Sequence, residues 1–97
     1  MEYWSEVLRS DPDADRRGQA AAALGNLKDD AAIPALVLAV GSDGDPFVRC
    51  LAVTALQSTL GLAVDSLPNM YAPEKVRGWL AGKTNSVLRQ AEQRLKR

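Results

Sequence analysis

Two arginines recur at one spacing, and each follows a pair of aspartates. Arg17 comes after Asp11 and Asp13; Arg49, about 32 residues on, comes after Asp43 and Asp45. A guanidinium grips a carboxylate or a phosphate through parallel hydrogen bonds, so a repeated arginine can hold an anionic ligand. Closely spaced aspartates can hold a divalent cation. A feature that returns at a fixed period does the same job in each unit, however, and that favours structure over catalysis. Each arginine is expected to pair with an aspartate of a neighbouring unit near a helix N-terminus. The aspartates lack further clustered carboxylates beside them and read as helix caps and turn formers.

Other chemistry is sparse. The chain has no histidine, which removes the commonest general base and metal ligand. Its one cysteine, Cys50, has no base near it in sequence and falls at the edge of an apolar helical stripe, where it reads as a small packing residue. Trp4 and Trp79 are possible stacking platforms, but both sit at the spacing of core or cap residues. No catalytic constellation and no cofactor or metal motif emerges, so the expectation is a protein without catalysis.

The elements that carry these residues follow from the repeat. Ser42–Leu56 laid over Ser10–Leu24 matches at seven of fifteen positions, among them Asp13/Asp45, Arg17/Arg49, Ala20/Ala52 and Leu24/Leu56. Internal repeats of this period indicate stacked supersecondary units. In each copy an aspartate stands at an N-cap position, and Pro46 follows Asp45 at the favoured first helical position. Val48, Leu51, Ala52, Ala55, Leu56 and Thr59 then form one stripe, matched in the first copy by Ala20, Ala23, Leu24 and Leu27. A polar break at Lys28-Asp29-Asp30 leads to a charge-free run, Ala31–Val40, stopped by Gly41.

The spacing predicts helices over 2–9, 13–27, 31–40, 46–60, 74–81 and 84–96. The run 31–40, apolar all round, is expected to be the most buried of them. Residues 2–9 align with the second helix of a unit and read as a half-repeat. Full units follow over 10–41 and 42–82. The second carries an apolar insertion at 61–72, and the terminal helix echoes the first-helix pattern through Val87, Ala91 and Leu95. At this length one domain spans 1–97.

This grammar resembles the HEAT-like repeats of the phycobilisome-lyase type. The matching residues are Asp13, Arg17, Ala20, Ala23, Leu24, Gly25, Ala32, Ile33, Pro34 and Leu36 in the first copy. In the second they are Asp43, Asp45, Val48, Arg49, Ala52, Ala55 and Leu56. The resemblance implies an all-α, right-handed HEAT-like α-solenoid of five or six helices in antiparallel pairs, first helices convex and second helices concave. Such repeats serve interaction scaffolds and bilin lyases alike.

Composition limits the partners. The net charge is zero, yet residues 1–48 carry nine acids and four bases, whereas 49–97 carry three acids and eight bases. This asymmetry suits an electrostatic partner. The absence of a continuous basic stripe argues against nucleic acid, which nonetheless stands as an alternative through the basic C-terminal half. No apolar run is long enough to span a membrane. Met1-Glu2-Tyr3-Trp4 does not read as a secretion signal. A lone cysteine fits a reducing compartment, so the expected location is the cytoplasm.

The functional expectation is a protein–protein interaction module. Its partner face is placed on the second helices and the insertion, with Leu38, Met70, Tyr71 and Lys75 as contact residues. Within the insertion, Leu62 and Leu67 are expected to face inward while Met70 and Tyr71 stay at least partly exposed. The alternative implied by the resemblance is a chromophore-handling relative of the bilin lyases.

Overall fold

In the computed structural model, which describes residues 2–96 and the side chains of 3–96, two helices and a short 3-10 turn begin at the aspartate caps Asp13, Asp29 and Asp45. The order is α1 (Glu2–Ser10), α2 (Ala14–Leu27), a short 3-10 turn (Asp30–Ala32), α3 (Ile33–Ser42), α4 (Pro46–Thr59) and α5 (Pro73–Leu95). The described residues contain no strand. Asp13 caps α2 by accepting the Asp15 N–H at 2.9 Å. Asp45 caps α4 by accepting the Phe47 N–H at 2.8 Å and, more loosely, that of Val48. Each cap satisfies donors that the first helical turn leaves free. Gly61, at φ +76°, adopts the left-handed conformation just past α4, as a terminating glycine does.

Helices α1 to α4 stack as the repeat requires, with α2 and α4 side by side and α3 against both α1 and α4. The core is Leu24, Ile33, Leu36, Val48, Val53 and Leu56, all fully buried, closed by alanines such as Ala20, Ala21, Ala32 and Ala52. Small side chains at these places let the helix axes approach closely. Leu24 and Leu56 occupy equivalent positions, as the repeat demands.

Helix α3 is not the most buried element. Its Leu38 is half exposed, and Pro34 and Ala31 face solvent. That place belongs to α4, which packs against α2, α3 and α5 and so hides nearly its whole circumference. Gly41 does not end α3 either, since the helix continues to Ser42 and Asp43 forms the C-cap. Leu27 is exposed at the end of α2, beyond the reach of α4.

The sequence places a break near residue 83, but the structure has one 23-residue helix there. Its buried residues, Val76, Leu80, Val87 and Ala91, keep helical phase across the expected break, so one stripe serves the whole length. The direction of α5 is set by the segment before it. After Leu60 the chain turns back along α4. Val64 lies beside Gly25, Thr54 and Ser58 near the end of that helix, and Met70 lies beside Asp45 and Phe47 near its start. Helix α5 then returns in the same sense as α4. Its far end is tied to the far end of α4 by Arg94, which donates to the Leu60 carbonyl at 3.1 Å and pairs with Asp30 at 2.8 Å. The outward face of α5 is largely polar.

Candidate interaction surface

The paired arginines have diverged. In the first repeat Arg17 donates to the Asp43 carboxylate from Nε at 2.9 Å and from Nη2 at 3.2 Å, and from Nη1 to the Asp11 carbonyl at 2.8 Å. The side chains are 17% and 6% exposed, so this bidentate pair is partly withdrawn from water. The hydrogen bonds that Arg17 donates to Asp43 are the chief reason its guanidinium is held above its ordinary pKa. Asp43 also accepts the Asp45 N–H at 2.9 Å, which fixes the turn before α4. The structural job expected of the repeated arginine is thus present in the first copy. In the second, Arg49 Nε is buried without a hydrogen-bond partner among the described residues.

Neither tryptophan is a free platform. Trp4 packs on the core and meets Tyr3 edge to face, with centroids 5.0 Å apart. Trp79 donates from its indole nitrogen to the Ser66 carbonyl at 3.0 Å and pins the strap formed by residues 61–72 onto α5. Lys83 Nζ stands 5.5 Å from the Trp79 ring centroid and also pairs with Asp65 at 3.2 Å. Gln57 completes this anchor by donating to Asp65 at 2.7 Å and accepting the Asp65 N–H at 3.1 Å. Gln57 first, and Lys83 next, hold the Asp65 carboxyl below its usual value. Cys50 is fully buried, and burial pushes its thiol up to about 11, so it is no nucleophile at neutral pH. Among the described residues no group of three or more metal-ligating side chains comes together.

The strap is where apolar surface stays in water. Tyr71 is 95% exposed and Leu67 43%, so Leu67 does not turn inward as expected. Leu62 does pack on the core, and so does Met70 in part. Met70 forms one end of a shallow groove of about 460 Å³ between the first halves of α2 and α4. Gly18, Ala22, Phe47, Val48 and Leu51 line its floor and walls, and Asp15 and Asp45 sit at its edge. Phe47, which sequence reasoning overlooked, is 42% exposed there. Its position directly after the proline of a capped helix is the signal that it projects from a helix start. Lys75 is exposed in the first turn of α5, four residues past Tyr71. Leu38 is not part of this groove. It lines a separate hollow with Leu8, Arg9 and Ser42, between α1 and α3.

The repeat geometry and a sequence-profile match over residues 1–96 agree. The chain belongs to the HEAT-repeat family. No curated protein and no solved structure matches the chain significantly. HEAT repeats commonly act as scaffolds that present helical surfaces to other proteins. Among the described residues of this HEAT-repeat protein no helix is long and apolar enough to cross a membrane.

Proposed function

We propose that the protein is a non-catalytic protein–protein interaction module whose principal contact surface is the α2/α4 groove and the adjoining strap. The observation that carries this reading is the exposure of Tyr71 and Phe47 beside Met70, at a groove that the fold leaves open. Contiguous apolar surface in water marks interfaces, and aromatic and methionine side chains are the types interfaces enrich. Asp15 and Asp45 at the edge favour a partner segment that carries a basic residue next to an apolar one. Lys75 would lie at the strap end of this surface, and Leu38 would be a second contact point on the opposite helix layer.

A bilin-handling role, the finer reading of the repeat resemblance, loses the two tryptophans as stacking platforms, since both are engaged within the fold, and would have to rest on the exposed Tyr71. Nucleic-acid binding through the C-terminal half is weakened because Lys83, Arg94 and Lys96 are paired with Asp65, Asp30 and Glu92.

The test is a photo-crosslinking amino acid placed at Tyr71 and, as a control, at the exposed Arg89 of α5. Adducts with a protein partner in native lysate are expected from position 71 and are expected to disappear with Phe47→Ser. Equal adducts from both positions would place the interaction elsewhere, and adducts with a tetrapyrrole or with nucleic acid would favour the other readings.

A further inference from the structure

The groove between α2 and α4 does not stop where their first halves end. A second hollow, of about 310 Å³, continues it toward the ends of both helices and shares Ala22 with it. On α2 the lining runs through Asp15, Gly18, Ala22 and Gly25, at spacings of three and four, which is one helix face. Leu51, Ala55 and Ser58 face it from α4 in the same rhythm. The strap borders the trough at both ends, through Met70 and Val64. From Asp15 to Asn26 it is about 17 Å long, at a rise of about 1.5 Å per residue.

The chemistry of the trough selects the backbone form of its occupant. An extended segment brings N–H and C=O groups that need partners. Among the described residues there is no strand edge to meet them. The hydroxyls along α4 are already engaged, Thr54 with the Leu51 carbonyl and Ser58 with that of Gly25, which leaves Gln19 and Asn26 on the α2 side. Of the lining residues only Phe47 is aromatic, so the trough lacks the rings that hold a polyproline segment. An α-helix satisfies its own backbone and needs only side-chain contacts. The glycines and alanines of the floor leave space for the larger side chains of such a helix. Charge is one-sided too. Asp15 and Asp45 lie at the same end, and no lysine or arginine lines the trough. Neither carboxylate is in a salt bridge among the described residues, since the neighbouring Arg16 and Arg17 are taken by Asp11 and Asp43.

We propose that the whole α2/α4 trough seats one amphipathic α-helix of a protein partner, about three turns long. Large apolar residues on its buried face fill the spaces over Gly18, Ala22 and Gly25, and a lysine or arginine lies in the turn over Asp15 and Asp45. This helix rests on the interaction surface proposed above.

The experiment selects a phage-displayed library of random peptides on the immobilised full chain, each peptide about sixteen residues long, enough for about four helical turns. The expected binders carry apolar residues at helical period with a basic residue at one end, and circular dichroism shows them becoming helical as they bind. They should bind Ala22→Phe, which fills the trough from an exposed position, at least about tenfold more weakly. They should bind Asp15→Asn about two- to fivefold more weakly at low salt, a difference that shrinks as salt is added. Melting curves verify that both variants fold; if Ala22→Phe does not, Asp15→Asn and the induced helicity decide. The proposal is overturned by extended, proline-rich or acidic binders, by binders indifferent to a folded Ala22→Phe, and by no enrichment over the bare support. It is overturned as well if the protein self-associates and Ala22→Phe abolishes this, which gives the trough to a second copy. Protein adducts from position 71 together with extended binders would keep the interaction surface and remove the helix, whereas no adducts and no enrichment would remove both.

Discussion

Gly25 of α2 and Ala55 of α4 meet backbone to backbone: a Cβ on Gly25 would stand 2.9 Å from the Ala55 Cα and 3.0 Å from its Cβ. The Gly25 carbonyl also accepts a hydrogen bond from Ser58 Oγ at 3.1 Å across the same seam. A glycine inside a helix costs about 0.5–1 kcal/mol relative to alanine, and here the close approach of two helices offsets that cost. Gly25→Ala should therefore lower stability by roughly 1–3 kcal/mol through overpacking, despite the better helix former. Gly82→Ala is the control, since it lies in α5 with nothing within 4 Å of the added atom. It should raise stability by about 0.5–1 kcal/mol. Urea denaturation of both variants decides the matter, and a gain for both would mean that the α2/α4 seam yields easily.

Leu56 is fully buried in α4, at the place equivalent to Leu24 in α2. Leu56→Ala should cost roughly 2–5 kcal/mol, a large share of the about 5–15 kcal/mol that holds a typical domain together. Leu27, on the same sequence stripe but 52% exposed, should tolerate alanine within about 0.5 kcal/mol. Denaturant midpoints that ranked the two substitutions the other way would refute the core described here.

Arg17 and Arg49 should respond differently to the same change. Arg17→Gln strands the Asp43 carboxylate, whose side chain is 6% exposed, and should cost roughly 1.5–3 kcal/mol, the range for hydrogen bonds to charged groups. Arg49→Gln removes a donor that is buried without a partner among the described residues, so it should not lower stability and should raise it by up to about 1–3 kcal/mol. Thermal melts of the two single variants measure this contrast. Equal losses would show that Arg49 is held by interactions equivalent to those of Arg17.

Cys50 ties stability to alkaline pH. Its thiol is pushed up to about 11 by burial, whereas an unfolded thiol ionises near roughly 8.5. Between these values the folded state holds the proton more tightly than the unfolded state does. The contribution is therefore fully present below the unfolded value and is lost as pH rises toward the folded one. Compared with Cys50→Ala, the natural protein should lose stability more steeply from about pH 8.5 upward. Thiol reagents at neutral pH should react at a rate limited by opening of the fold. Parallel pH profiles for the two proteins would remove Cys50 from this role.

Much of the architecture was legible in the chain by itself, and for a local reason. Helix capping and helical periodicity are properties of neighbouring residues. Asp13, Asp45 and Gly61 therefore marked real helix ends, and the 32-residue repeat placed Leu24 and Leu56 in equivalent core positions. The period also foretold that an arginine would meet the aspartate of another unit, as Arg17 meets Asp43. The phase of Val76, Leu80, Val87 and Ala91 carried the continuity of α5 as well, although the polar stretch at 82–86 obscured it.

Tertiary structure decided what depends on neighbours distant in sequence. Periodicity states which face of a helix is apolar but not whether a partner lies against it, so Leu27, Leu38 and Leu67 were left in solvent while α4 was enclosed. The same limit applies to the contact residues. The fold joined Met70 with Phe47 in one groove and put Leu38 in another hollow. Above all, the direction of α5 is not encoded in its own stripe. It follows from the strap, which Asp65 fastens to Gln57 and Lys83 and which Trp79 holds at Ser66. That strap carries the chain back along α4 to a turn in which Asn69 accepts the Tyr71 N–H and no aspartate is present, so that, among the described residues, Arg49 is left without the carboxylate that its repeat equivalent has.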